Sequence, residues 1–227
     1  MEFNAMQAVK QALLTLVVLA LVNCTGAEAA PGSPPKAGIS AKAELAPKAP
    51  VNTDREFVKY MLLNPDSVYE GCRGHDHMTD SADAYADIII SSARRTGVDP
   101  RIPTVLMLRE SCFKRTAVNG RTGAFGMGGM LPSTAKRVCD SANVRYGLGY
   151  KCGPGEYRKP SVYTTLVMVT VDIYRKYYRS DLHAFAAYTG SNPGRGEPLG
   201  SSQMRRALAV KSTLTRALAI EKKIVGK

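Results

Sequence analysis

Glu110 is the side chain in this sequence best placed to move a proton. It closes an apolar helical stretch, with Leu106, Met107 and Phe113 close to it along the chain. A carboxylate held against apolar neighbours has its charged form disfavoured, so its pKa rises and it stays a proton donor near neutrality. A general acid for glycoside cleavage needs that property. The other reading is a surface glutamate at a helix end, paired with Arg109 or Arg115. Periodicity alone favours this second reading. Just downstream, GRTGAFGMGGMLPSTAK (120–136) carries Gly120, Gly123, Gly126, Gly128 and Gly129. These permit turns that other residues resist and leave room for an extended ligand. No Gly-Lys-Ser/Thr follows, as a phosphate loop requires, and no strand precedes, as a dinucleotide fingerprint requires. Alone, the segment is a cleft wall or a tight connection.

The elements that must hold these residues are helical. In 79–96, Ala82, Tyr85, Ile88, Ile89 and Ser92 share one face at 3.6-residue spacing, and Gly97 supplies a stop. Asp99-Pro100 then reads as an N-cap followed by proline at the first helical position. The helix it opens carries Ile102, Val105, Leu106 and Leu108 and ends at Glu110. Pro132-Ser133-Thr134 starts another. The stretch 161–179 is rich in β-branched residues, which favour strand, but its length favours a buried helix. A short Ala-rich helix is expected over 181–188 and an amphipathic one over 203–225. The expected fold is all-α, with one small hairpin or a disulfide-closed loop in 146–157.

The N-terminus reads as an address. Lys10 flanks an apolar run, ALLTLVVLALV (12–22), and Ala27-Glu28-Ala29 offers a cleavage site. That layout predicts a signal peptide over 1–29, an exported protein, periplasmic or secreted, and no stable membrane insertion after cleavage. An uncleaved anchor is the alternative. Lipid attachment at Cys24 is disfavoured, because Leu21-Val22-Asn23 lacks the small residue usual before such a cysteine. Residues 30–53, with five prolines among Ala, Gly, Lys and Ser, read as a linker, leaving 54–227 for one domain with an N-terminal helical extension and a C-terminal amphipathic helix. Loss of the signal leaves Cys72, Cys112, Cys139 and Cys152, an even number in an oxidising compartment. Of three pairings we favour Cys139–Cys152, closing a Gly/Tyr-rich loop, with Cys72–Cys112 tying the N-terminal segment to the core. A zinc site of Cys72, His75 and His77 has poor spacing and no second Cys-x-x-Cys, so neither metal nor cofactor is expected.

Three ordered blocks make the pattern more specific. GVDPRIPTVLMLRESCF (97–113), GAFGMGGMLPSTA (123–135) and AFAAYTGSNPG (184–194) together resemble the catalytic domain of the soluble lytic transglycosylases, relatives of goose-type lysozyme. Such proteins carry Gly-Val-Asp-Pro, then Glu-Ser-x-Phe, Gly-Ala-x-Gly-Leu-Met-Gln and Ala-Ala-Tyr-Asn. The resemblance covers roughly 80–195 and implies a lysozyme-like fold acting on peptidoglycan strands. It implies cleavage between N-acetylmuramic acid and N-acetylglucosamine, with one glutamate serving as acid and then as base to form a 1,6-anhydro ring. Carried over, Glu110 is that glutamate, while Ser111, Asn119, Met127 and Tyr188 contact substrate. Gly128-Gly129 stand where the family has Met-Gln, which removes a side-chain amide, and Thr189 replaces the usual Asn. Most glycosidases use two carboxylates, yet no Asp or Glu lies between Glu110 and Asp140. Asp140 or Glu156 would have to fold back to serve as the second.

Charge bears on the partner. The chain has 31 Lys and Arg against 19 Asp and Glu, a net +12, which predicts an anionic partner. The excess is local: residues 100–227 hold twenty-two basic against seven acidic residues, while 54–99 are net acidic. No aromatic stacking series or binding motif accompanies the basic residues, so no nucleic acid is expected. Wall polymers bearing carboxylates and phosphates fit better, with envelope or secretion machinery as a further partner. The rival to catalysis is a non-catalytic wall-binding or assembly protein that keeps the fold.

Overall fold

Ten consecutive residues, Val162 through Val171, are buried in a single helix, and that helix is the axis of the molecule. The computed structural model describes residues 51–75 and 78–225, all within the compact unit Pro47–Lys227. The elements run α1 (Val51–Leu63), α2 (Pro65–Val68), α3 (Ala82–Thr96), α4 (Arg101–Ser111), α5 (Pro132–Tyr146), α6 (Pro154–Tyr157), α7 (Pro160–Tyr178), α8 (Asp181–Tyr188) and α9 (Ser201–Val225). Single 3-10 turns occupy Glu70–Cys72 and Thr79–Ser81. The described residues form no strand longer than an isolated bridge. The expected signal peptide and nearly all of the expected linker lie outside the described residues, as does His77. No described helix is long and apolar enough to cross a membrane.

The central helix α7 packs against α3, α8, α5, α6 and α4, while α1 and α9 close over α4 from the other side. Its β-branched composition did not make it a strand. Two of its three threonine hydroxyls return to its own backbone, Thr165 to Ser161 O at 2.8 Å and Thr170 to Leu166 O at 2.7 Å, while Thr164 Oγ1 is buried with no hydrogen-bond partner among the described residues. Helix α4 is similarly enclosed, with Ile102 through Leu108 all buried. Its start follows the expected chemistry: Asp99 Oδ1 accepts the Arg101 N–H at 2.9 Å. Arg101 then ties three elements together, pairing with Asp54 of α1 at 2.8 Å and with Glu221 of α9.

The expected hairpin in 146–157 does not form. Asn143, at the end of α5, takes both polar groups of Tyr150 instead, donating to its carbonyl and accepting its N–H, each at 2.8 Å. Pro154 then opens α6. With those groups satisfied by a side chain, the loop has no need of cross-strand pairing. The disulfide-closed loop does form, through Cys139–Cys152, and Cys72–Cys112 joins the segment after α2 to the end of α4.

Both bonds cross-link the unfolded chain, the first over a separation of 13 residues and the second over 40. Loop-closure entropy assigns them about 3 and about 4 kcal/mol respectively. Replacing Cys72 and Cys112 together by serine is therefore expected to cost more stability than replacing Cys139 and Cys152. Urea denaturation of the two double variants measures the order.

Candidate active site

The last turn of α4 delivers Glu110 to a groove, and the backbone behind it is tightly constrained. Cys112 (φ 52°) and Phe113 (φ 62°) both adopt left-handed conformations, which stop the helix at Ser111. Burial of Phe113 and the bond from Cys112 to Cys72 hold that unfavourable pair in place. Glu110 sits between two depressions. One, of about 270 Å³, is lined by Asn119, Gly128, Gly129, Tyr174 and Tyr188 among others. The other, of about 520 Å³, is lined by Tyr69, Arg109, Ser111 and Lys114 among others. A groove running past the carboxyl in both directions suits a polymer.

Among the described residues the Glu110 side chain has neither an ion pair nor a hydrogen bond. Arg109 is drawn away by Thr213 Oγ1 at 2.8 Å and lies over the Tyr69 ring at 4.6 Å. Arg115 lies over Tyr85. Burial pushes Glu110 up to about 7, and the positive charges of Arg109 and Arg206 only partly oppose it. The negative end of α4 acts in the same direction as burial. Much of the residue's surface remains open to the groove, while protein atoms crowd the carboxyl on its other sides. Crowding governs the proton here, because a bound polymer would displace the groove water as well.

Among the described residues, no second carboxylate lines either depression. The two sequence candidates are engaged elsewhere: Asp140 pairs with Lys136 at 3.0 Å and Glu156 with Lys159 at 2.8 Å.

The wall opposite Glu110 is the glycine segment. It is folded on itself by bridges Val118–Phe125 and Phe125–Met130, so the hairpin-like pairing lies here. Two tyrosines from separate helices hold it. Tyr163 Oη of α7 accepts the Gly128 N–H and donates to Phe125 O, both at 2.8 Å, and Tyr188 Oη donates to Gly128 O at 3.1 Å. Burial raises both phenols above their ordinary range, with the nearby Glu110 charge a smaller contribution. They stay protonated and able to donate. The chain passes so close that a Cβ on Gly128 would lie 2.5 Å from Tyr188 Oη, and one on Gly129 would lie 2.9 Å from Glu110 Oε2.

Of the residues picked from sequence, Glu110, Asn119 and Tyr188 meet along the smaller depression. Asn119 turns its Oδ1 into its own loop, accepting the Arg121 and Thr122 N–H groups at 3.0 and 3.1 Å. Ser111 lines the larger depression and donates to Met127 O at 2.7 Å, fastening the glycine segment to α4. Met127 does not join them. Its side chain is 2% exposed and faces a different pocket, because Ser111 holds its carbonyl, rather than its side chain, toward α4. Sequence reasoning missed Tyr163 altogether; its one signal was a hydroxyl within an otherwise apolar stripe. Tyr163→Phe removes both bonds and strands a buried N–H, which costs about 1–3 kcal/mol. Chemical denaturation, together with faster hydrogen exchange at the Gly128 amide, checks this.

No protein-family model and no curated protein matches the sequence. A solved structure does match: an inactive Glu-to-Gln mutant of the lytic transglycosylase Slt from Pseudomonas aeruginosa, with a TM-score of 0.50 and 15% identity. The match covers 76% of this chain and 30% of that one, so the chain spans less than a third of that protein's length. The fold is lysozyme-like.

Proposed function

We propose that this protein is a peptidoglycan lytic transglycosylase in which Glu110 is the only acid–base group. The observation that carries the reading is a groove with one carboxyl, lifted to about 7, and no second carboxylate on either wall among the described residues. At neutral pH a substantial fraction of Glu110 holds its proton. Glu110 gives that proton to the glycosidic oxygen as the C1–O bond breaks. The resulting carboxylate takes the proton of the muramoyl 6-hydroxyl while O6 bonds to C1. The ring closes, the glutamic acid is regenerated and no water is consumed. A reaction whose nucleophile belongs to the substrate needs no second carboxylate, which agrees with the groove. The basic surplus in 100–227 supports an anionic polymer, and two disulfides support an extracytoplasmic site of action.

Digestion of purified sacculi, followed by mass spectrometry, tests this reading. The expected products end in anhydromuramic acid, one water lighter than the products of hydrolysis. Reducing ends would indicate a lysozyme-type hydrolase. Retention of the protein on sacculi without any release would mark a non-catalytic wall-binding protein and overturn the proposal. The first step also fixes a pH dependence. Because the protonated form is required, kcat/KM is expected to fall about tenfold per unit above a pKa of about 7. A turbidity assay between pH 5 and 9 shows whether that limb exists.

A further inference from the structure

The glycine segment has a second side that the proposed reaction does not use. The segment folds back on itself through the turn 126–129, so its residues divide between two faces. Asn119, Ala124 and Gly128 line the groove at Glu110, whereas Val118, Phe125 and Met127 line a separate pocket of about 390 Å³. That volume lies within the range of small-molecule sites. The walls of this pocket are mainly apolar, formed by Tyr85, Phe125, Met127 and Tyr163. Its charged lining residues are Arg115 and Arg158, and among the described residues no Asp or Glu lines it. Each guanidinium lies over a ring of the pocket, Arg115 over Tyr85 at 5.5 Å and Arg158 over Phe125 at 5.9 Å from the ring centre. Among the described residues neither has an acidic partner. That placement leaves the edge N–H groups of a guanidinium available, and those groups match a carboxylate.

The geometry points to a second binding site here, for a small carboxylate with an apolar body, such as the C-terminal end of a short peptide with small apolar side chains. The apolar walls take the body, and the two arginines take the anionic end. Charge complementarity selects this occupant, since two unpaired cations at an apolar pocket disfavour a neutral or cationic ligand. The site does not depend on Glu110. It does touch the groove's support, because the Tyr163 ring lines this pocket while its hydroxyl holds Gly128 and Phe125. A ligand resting on that ring is sensed at the Gly128 amide.

The test is an NMR titration of the Glu110→Gln protein, which separates this inference from the catalytic reading. N-acetyl-alanyl-alanine, its C-terminal amide and hexanoate are compared, following backbone amides and arginine Nε–H signals. The expected result is saturable binding of the dipeptide acid, with shifts at Arg115, Phe125, Gly126, Gly128 and Arg158. Its amide should bind at least about tenfold more weakly, the loss expected for one charge-assisted contact. Arg158→Gln should weaken the acid and leave the amide unchanged. Tighter binding of the dipeptide or of hexanoate identifies the peptide or aliphatic source within the class. Equal affinity for acid and amide, shifts confined to the Glu110 groove, or no saturable shift up to about 10 mM would each overturn the assignment.

Discussion

Glu110→Gln is expected to lower glycan release from sacculi by about 10²- to 10⁴-fold, the range of a general acid–base contribution, and to make the protein more stable at the same time. Glutamine keeps the shape and cannot donate a proton, so the activity loss isolates the acid step. The stability gain follows from linkage. The folded state holds the Glu110 proton up to about 7, against about 4.5 for an unperturbed glutamate. Below the lower value both states are protonated, and Glu110 costs nothing. Between the two, the unfolded chain ionises while the folded one does not, so stability falls as pH rises. Above about 7 the whole cost is present. A shift of that size in a fully buried group corresponds to about 3 kcal/mol. The open groove screens this one, leaving a gain of about 1–2 kcal/mol for glutamine at pH 8 and none at pH 4. Calorimetry at the two pH values measures the difference. A variant that keeps a tenth of wild-type activity, or equal stability at both pH values, would contradict the role given to this carboxyl.

The parts of the molecule that were legible in the sequence are those fixed by neighbours along the chain. The helix before Gly97, the start at Asp99-Pro100 and the Ala-rich α8 each carry a local period and a local stop, and the structure forms them where expected. The disulfides were legible for a related reason: four cysteines leave few choices, and one pair encloses a short loop. The glycine segment was harder. Its composition announced turns but not what would press against them. Tyr163 and Tyr188 reach Gly128 from 35 and 60 residues away, and no local pattern encodes such a meeting. Gly129 shows the same limit from the other side. Beside the resemblance it reads as a lost glutamine, a deletion of function. In the structure it is where the chain passes the glutamate at φ +60°, with a Cβ there meeting Oε2. The hairpin went to the wrong loop because Gly and Tyr content does not reveal that Asn143 would occupy the polar groups of Tyr150.

Gly129→Ala is expected to lower kcat by about 100-fold while costing only about 1–2 kcal/mol of stability. Two effects must be separated. Any L-residue at a positive φ is strained, and the Gly129 φ of +60° imposes that cost whatever its surroundings. The new methyl also meets Glu110 Oε2 at 2.9 Å, and the free end of the glutamate gives way. Gly123→Ala isolates the first effect, because Gly123 has φ +70° and nothing within 4 Å of its Cβ position. Gly128→Ala provides the opposite contrast. Its methyl meets Tyr188 Oη at 2.5 Å and Val167 Cγ2 at 2.8 Å, both held in packed structure, so overpacking should cost about 1–3 kcal/mol. The three alanines should therefore divide: Gly123→Ala mildly unstable and active, Gly128→Ala the least stable, Gly129→Ala the least active for its stability. Thermal melts and sacculus digestion at a temperature where all three are folded resolve the pattern. If Gly129→Ala matched Gly123→Ala in kcat to within about threefold, the glycine would be answering only to the turn. A real difference means that the absence of a side chain at 129 is a condition for where Glu110 points, and the two residues then work as one device.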